Sequence, residues 1–213
     1  MMKAAILRSP RKPKGHGGER RQEILDAALK LFSERGIHAV STRDIAAASG
    51  ISQPALYAYF PSRDEIAAEL CEQAFKALRA RMLAAADGPP GREMMERMGR
   101  VYIGFGLEQP DAYRIAFMIE KSQPGEEMDP AMRRSLDAGI EAFDCFRQQT
   151  ARLIEAGLTR ETRVELLTQS LWAAMHGLVS LLIARKHFPW ADREALISGH
   201  LRMLADGVLK PGA

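Results

Sequence analysis

The stretch SQPALYAYF, at residues 52–60, gathers side chains that can recognise a nucleic acid. A glutamine amide can pair with the edge of adenine, and an alanine methyl group can contact the methyl group of thymine. Tyrosine hydroxyls and the free amides of a helix N-terminus can hold phosphates. The candidate DNA contacts in and around this stretch are Ser41, Thr42, Arg43, Ser52, Gln53, Pro54, Ala55, Tyr57, Tyr59 and Arg63.

Start and stop signals place these residues on two short helices joined by a tight turn. Ser41 begins a helix that Gly50 ends. Ser52 caps a second helix over 53–60, with Pro54 in its first turn. A helix, a glycine turn and a second helix form the helix-turn-helix pattern, whose second helix lies in the major groove of DNA. Eight helical residues span about 12 Å, close to the width of that groove.

The alternative interpretation is that Tyr57 and Tyr59 only pack between helices. Leu56 and Phe60 lie four residues apart and are expected to face inward. That register leaves both tyrosines, with Gln53, away from the inner face. We therefore favour the DNA-reading interpretation for the group as a whole.

Composition and charge fit a helical protein with a polyanionic partner. The 213 residues carry a net charge of +3, and helix formers dominate. Residues 1–21 alone hold seven Lys or Arg and one acid, which indicates a basic arm or, alternatively, a solvated tail. We predict an all-α fold: a flexible arm (1–17), a three-helix helix-turn-helix DNA-binding domain (18–65) and a ligand-binding and dimerisation domain (66–213), with about nine helices in all.

Other function classes find little support in the sequence. The five histidines do not cluster at metal-ligand spacing, and the nucleophile-elbow and phosphate-loop motifs are absent. We therefore expect no catalysis, metal or cofactor. Two cysteines, no signal-peptide pattern and a longest apolar run of only 177–184 favour a cytoplasmic protein without a membrane partner.

Residues 24–70, ILDAALKLFSERGIHAVSTRDIAAASGISQPALYAYFPSRDEIAAEL, closely resemble the DNA-binding region of the TetR/AcrR family of bacterial regulators. The shared pattern is a first helix ending in Gly, a Ser-capped helix containing Ile-Ala, and a short helix reading Leu-Tyr-x-x-Phe. The resemblance implies a sequence-specific transcription regulator, a repressor released from its operator by a small molecule. Ala58, Tyr59 and Arg63 depart from the residues usual in the family, which bears on the base preference.

A second, weaker resemblance covers part of the C-terminal region. WAAMHGLVSLL (172–182) is similar to the Trp-x-x-x-His-Gly segment of one TetR C-terminal domain type, and FGLEQPDAYRIAF (105–117) is similar to the segment preceding it. The resemblance implies a homodimer with an unknown small-molecule effector. Candidate ligand contacts are Tyr102, Phe105, Tyr113, Phe117, Trp172, Met175 and His176. Residues at such helical spacing are more often simple core.

Periodicity also favours dimerisation. The predicted helix over 160–187 is apolar on more than one face, and the helix over 190–209 adds a further apolar stripe. Two such helices from each of two subunits would form a four-helix interface, and the dimer would bind a near-palindromic double-stranded DNA operator. The alternative function is a small-molecule sensor that does not read DNA.

Overall fold

The computed structural model describes residues 17–118 and 130–212, and in these ranges the predicted all-α fold is confirmed. The β structure recorded there is one isolated bridge between Thr159 and Leu209. The elements are α1 (Gly17–Arg35), α2 (Thr42–Ala48), α3 (Gln53–Tyr57), α4 (Arg63–Ala85), α5 (Arg92–Glu108), α6 (Pro110–Tyr113), a π-helical turn (Arg114–Met118), α7 (Pro130–Glu155), α8 (Val164–Ala184) and α9 (Arg193–Val208).

Several boundaries differ from the predicted ones. Helix α3 is regular only to Tyr57, short of the predicted end at residue 60, and the π-helical turn follows α6 directly. Helix α9 begins at Arg193 because the Asp192 side chain caps it, accepting from the Ala195 amide. The basic arm, apart from its last residue, lies outside the described residues.

Serine caps fix the three short connections of the N-terminal region. Ser41, Ser52 and Ser62 each accept a hydrogen bond from the amide three residues on, at 3.2, 3.3 and 3.1 Å. The turn between α2 and α3 needs a left-handed residue, and Gly50 supplies it with a φ of +67°. The turn between α2 and α3 is therefore determined by local hydrogen bonds and by the conformation of Gly50.

A small core holds the helix-turn-helix against α1 and the start of α4. Ile45, Leu56 and Phe60 are fully buried in it, as expected for the inner face. The guanidinium of Arg21 lies 4.3 Å from the centre of the Phe60 ring and forms an ion pair with Glu69 of α4. The N-terminal region is thereby fixed to the first two turns of α4.

The larger region is a bundle in which α4 packs along α7, and α5 packs against α8 and α9. Glycines allow α5 to approach its neighbours closely. A Cβ added at Gly106 would lie 2.4 Å from a methyl group of Val179 and 2.9 Å from the Tyr113 ring. A Cβ added at Gly104 would have only the end of the flexible Glu108 side chain within 4 Å.

The two glycines give a matched test of this packing. Gly106→Ala should lower the free energy of unfolding by about 1–3 kcal/mol, because the helices must separate to admit the methyl group. Gly104→Ala should raise it by up to about 1 kcal/mol, because alanine is the better helix former. Urea unfolding at one fixed protein concentration measures both. A similar change in both variants would contradict the close α5–α8 approach.

Candidate nucleic-acid interface and ligand cavity

Three of the predicted DNA contacts form one hydrogen-bonded group on the exposed side of α2 and α3. The Gln53 amide nitrogen donates to the Thr42 hydroxyl oxygen at 2.9 Å and to the Tyr57 hydroxyl oxygen at 3.3 Å. The Thr42 and Tyr57 hydroxyls are 3.2 Å apart. Hydrogen bonds from Thr42, and then from Gln53, lower the pKa of Tyr57 below its ordinary value. The group therefore holds a glutamine amide and two hydroxyls in a fixed arrangement.

Tyr57, the last residue of α3, and Tyr59, just after it, have different environments. Tyr57 is 48% exposed, so it is available to a partner. Tyr59 is half-buried and packs against the core. The structure thus separates two residues that the sequence treats alike.

The remaining predicted contacts surround the group formed by Thr42, Gln53 and Tyr57. The Arg43, Pro54 and Ala55 side chains are exposed beside it. Arg63 begins α4, where its guanidinium pairs with Asp64 at 2.9 Å and donates to the His38 carbonyl at 3.4 Å. Ser41 and Ser52 are exposed but serve as helix caps. Thus the predicted residues lie on α2 and its N-cap, α3, the first turn of α4 and the segments that join them.

A cavity of about 670 Å³ lies between α4, α5, the π-helical turn, α7 and α8. Its volume falls within the range of about 300–1,000 Å³ typical of small-molecule sites. Four of the seven predicted ligand contacts line it: Tyr102, Phe117, Trp172 and His176. Phe117 is the centre of an aromatic group, with its ring centroid 4.7 to 6.4 Å from those of five neighbouring rings.

The other three predicted ligand contacts lie behind the residues that line the cavity. Phe105 and Tyr113 are fully buried and Met175 is nearly so, and none of them lines the cavity. Helix α7 instead supplies much of the lining, through Leu136, Ile140, Phe143 and Phe146, and α4 adds Phe75, Leu78 and Met82. The apolar spacing of 136, 140 and 143 was the sequence signal for this wall, but it resembles an ordinary core stripe.

A chain of hydrogen bonds crosses one side of the cavity. The Trp172 indole donates to the Tyr102 hydroxyl oxygen at 3.0 Å, and the Tyr102 and Tyr113 hydroxyls are 2.9 Å apart. Tyr113 lies 2.7 Å from His176 Nδ1, and Ser180 lies 3.2 Å from His176 Nε2. We call these five residues the polar chain.

Burial keeps the polar chain uncharged. It raises the pKa of Tyr102 to about 12 and also raises the pKa of Tyr113. The same cause lowers the pKa of His176. Near neutral pH the chain therefore carries neutral hydroxyls and a neutral imidazole.

Helix α4 joins the cavity to the helix-turn-helix. Its first turns hold Glu69, which pairs with Arg21, and Glu65, which pairs with Arg134 of α7. Its later turns line the cavity. A second connection runs from the Ser33 hydroxyl of α1 to the Asp111 carboxylate of α6, at 2.5 Å.

Helices α8 and α9 leave apolar surface exposed. Leu166 and Leu181 of α8 are 44% and 49% exposed, and Met203 of α9 is 62% exposed. Gly177, Gly199 and Gly207 lie on the same two helices. By length and composition alone α8 could also cross a membrane, and it is the one such helix within the described residues.

Two family sequence models match the chain. "Bacterial regulatory proteins, tetR family" matches residues 24–70, which contain the helix-turn-helix. "Tetracyclin repressor-like, C-terminal domain" matches residues 95–204, which contain much of the cavity and of α8 and α9. Neither description mentions the Trp-His-Gly type, so that subdivision stays a prediction.

Curated relatives and a solved structure agree with the family models. The chain is 27% identical over 176 residues to the HTH-type transcriptional regulator AcrR of Shigella flexneri, covering 81% of this chain and 80% of AcrR. It is 30% identical over 172 residues to the nucleoid occlusion factor SlmA of Haemophilus influenzae, covering 75% and 71%. The ketosteroid transcriptional regulator KstR2 of Mycobacterium tuberculosis shares the fold, with a TM-score of 0.71 at 22% identity over 90% of this chain and 95% of KstR2.

The matched residues bring together a helix-turn-helix, a fixed polar group on its exposed side and a helical region with a cavity. The family models cover most of the chain, and the relatives span both regions. The chain belongs to the TetR family and is a DNA-binding transcription regulator.

Proposed function

We propose that the protein is a repressor that reads a near-palindromic operator with α2 and α3 and is released by a small molecule bound in the cavity. In this proposal residues 18–65 form the DNA-binding domain and residues 66–213 form the ligand-binding and dimerisation domain. The observation that carries the DNA-reading part is the fixed group of Thr42, Gln53 and Tyr57. Because its side chains are already ordered, less conformational entropy is lost when DNA binds.

The residues have different roles in the DNA complex. Gln53 and Ala55 face the base edges, where an amide and a methyl group can discriminate sequence. Arg43, Tyr57 and Arg63 contact the phosphates, together with the caps Ser41 and Ser52 and the free amides they leave. Tyr59, being half-buried, supports the end of α3 and reaches the backbone only with its hydroxyl.

Two substitutions separate base reading from phosphate contact. Gln53→Ala should weaken operator binding by about 1–3 kcal/mol and relax the base preference at one operator position. Arg43→Ala should weaken binding to all DNA sequences alike and make the salt dependence of log affinity less steep by about 1. Fluorescence anisotropy on the operator and on single-position variants of it measures both effects.

Lys76→Ala is the control, since Lys76 is an exposed cation on α4 away from this surface. The assignment fails if Gln53→Ala lowers affinity equally for every sequence, or if the control matches Arg43→Ala.

The basic arm is proposed to add phosphate or minor-groove contacts. Deleting residues 1–17 removes five cations, and the dependence of log affinity on log salt should become less steep by about 0.9 per lost phosphate contact. Anisotropy titrations from 50 to 200 mM salt test this. An unchanged slope would show that the arm does not contact DNA.

We propose that the homodimer forms through α8 and α9. This accounts for a helix that is apolar nearly all round, because one side of α8 packs inside the subunit and the other would be buried by the partner. Burial of α8 at such an interface, together with membership of a family of DNA-binding regulators, favours a cytoplasmic dimer over a membrane protein. Gly177, Gly199 and Gly207 would allow the four helices to approach closely.

A charge at this surface should dissociate the dimer. Leu181→Asp places an unpaired carboxylate in the interface twice, once per subunit, and should raise the dimer dissociation constant by roughly a hundredfold or more. Leu83→Asp is the matched control, because Leu83 is exposed to a similar degree on α4. Sedimentation equilibrium distinguishes them. A dimer that survives Leu181→Asp would place the interface elsewhere.

Ligand release is proposed to act through α4. A ligand that fills the cavity pushes on Phe75 and Leu78, and α4 transmits a tilt to the helix-turn-helix. The change in separation of the two DNA-reading surfaces then weakens operator binding. Only a ligand with different affinities for the two arrangements can do this. The alternative, a sensor without DNA affinity, is not favoured by the family membership.

A further inference from the structure

We propose that the effector is an electrically neutral, largely apolar molecule whose one polar group, a hydroxyl or a carbonyl, is bound by the Tyr102 hydroxyl. This inference rests on the proposed function, since it concerns the same cavity, and it names the chemistry of the ligand.

The wall of the cavity disfavours a charged effector. Among the described residues that line it, none is Asp, Glu, Lys or Arg. His176, the one lining side chain that titrates near neutral pH, is held neutral by burial. A carboxylate or an ammonium group bound at the polar chain loses its hydration and gains no counter-charge, so it should bind about tenfold more weakly than a neutral group. A neutral molecule avoids this penalty.

The residues that line the cavity also include side chains that can hydrogen-bond a ligand. Its polar lining side chains are Tyr102, Ser135, Gln169, Trp172 and His176. Three of these five, Tyr102, Trp172 and His176, belong to the polar chain. The rest of the wall is mainly Phe, Leu, Ile, Met and Ala, so the ligand is apolar except where it meets the chain.

The direction of the hydrogen bonds along the polar chain decides whether the Tyr102 hydroxyl can accept a hydrogen bond from a ligand or donate one to it. The Trp172 indole is a donor only, so the Tyr102 oxygen always accepts from it. If His176 carries its proton on Nε2, Tyr113 donates to Nδ1 and Tyr102 donates to Tyr113. Tyr102 then has one free acceptor position, which suits a ligand hydroxyl.

When the hydrogen bonds run in the opposite direction, the Tyr102 hydroxyl can donate to a ligand. If His176 carries its proton on Nδ1, it donates to the Tyr113 oxygen, and Tyr113 donates to Tyr102. The Tyr102 proton is then free to bond a ligand carbonyl, while Ser180 donates to Nε2. Both directions keep every member neutral and use the same heavy-atom positions, so one site accepts either neutral group.

The test uses the full-length protein and three ten-carbon probes whose head groups are neutral, anionic or cationic. Diphenylhexatriene, a fluorescent hydrocarbon without polar groups, reports occupancy of the cavity. At pH 7.5, decan-1-ol should displace it at about tenfold lower concentration than decanoate or decylammonium, because only the ions carry an uncompensated charge. Equal or better displacement by either ion, or failure of diphenylhexatriene to bind the folded protein, would overturn the proposal.

Two hydroxyl deletions identify the polar contact. Tyr102→Phe should weaken decan-1-ol binding about fivefold, as expected for one neutral hydrogen bond, and leave diphenylhexatriene affinity unchanged. Tyr113→Phe removes a hydroxyl that does not line the cavity, so its effect on decan-1-ol should be smaller. If both variants weaken decan-1-ol equally, or if diphenylhexatriene is lost as well, Tyr102 is not the ligand contact.

Adding a positive charge to the cavity should strengthen binding of the anionic probe. Ile140 lines the cavity and is 51% exposed, so a lysine there keeps its stem on the wall and its ammonium near water. Ile140→Lys should improve decanoate displacement by up to about fivefold, as expected for a solvent-exposed ion pair. Leu83→Lys is the control outside the cavity and should change nothing. No gain for decanoate in Ile140→Lys would contradict the role given to charge.

Operator binding, measured in parallel, separates this inference from the proposed function. Binding of decan-1-ol with the expected preference, but without operator release, would uphold the site chemistry and refute ligand release. Release by decanoate rather than decan-1-ol would uphold ligand release and refute the neutral effector.

Discussion

Helix α4 connects the helix-turn-helix to the cavity. It is one continuous helix whose first turns are held against the helix-turn-helix and whose later turns line the cavity. Because α4 contacts both regions, a shift of α4 at the cavity would also move the elements packed against its first turns. The ion pairs of Arg21 with Glu69 and of Arg134 with Glu65 tie the start of α4 to elements on two sides. In the proposed function, DNA recognition and ligand binding would therefore be coupled, because both regions contact the same helix.

The two sites use hydrogen bonds in contrasting surroundings. On the DNA side, Thr42, Gln53 and Tyr57 hold one another in water, where each bond contributes little to stability but orders the side chains for a partner. Inside the bundle, Tyr102, Tyr113 and His176 hold one another away from water, where an unpaired group would be costly. The first arrangement is the one that we propose contacts DNA. The second is the one that we propose binds a small neutral molecule.

The sequence predicted the N-terminal region well because its signals are local. Serine caps, Gly50 and the spacing of Leu56 and Phe60 act over a few residues, so the fold of the helix-turn-helix could be worked out from them. The cavity could not, because an apolar stripe on α7 looks the same whether it faces another helix or an empty space. For the same reason Trp172 and Tyr113 were equal candidates, although one lines the cavity and the other lies behind it. The π-helical turn that follows Tyr113 carries no comparable local signal.

The most direct test of the account is selection of bound sequences from a random duplex pool, with the intact protein beside Tyr57→Ala. The account predicts that the intact protein enriches a near-palindrome and that Tyr57→Ala does not. Absence of enrichment by a folded dimer at low salt would contradict it, because the group formed by Thr42, Gln53 and Tyr57 would then not be a DNA-reading surface.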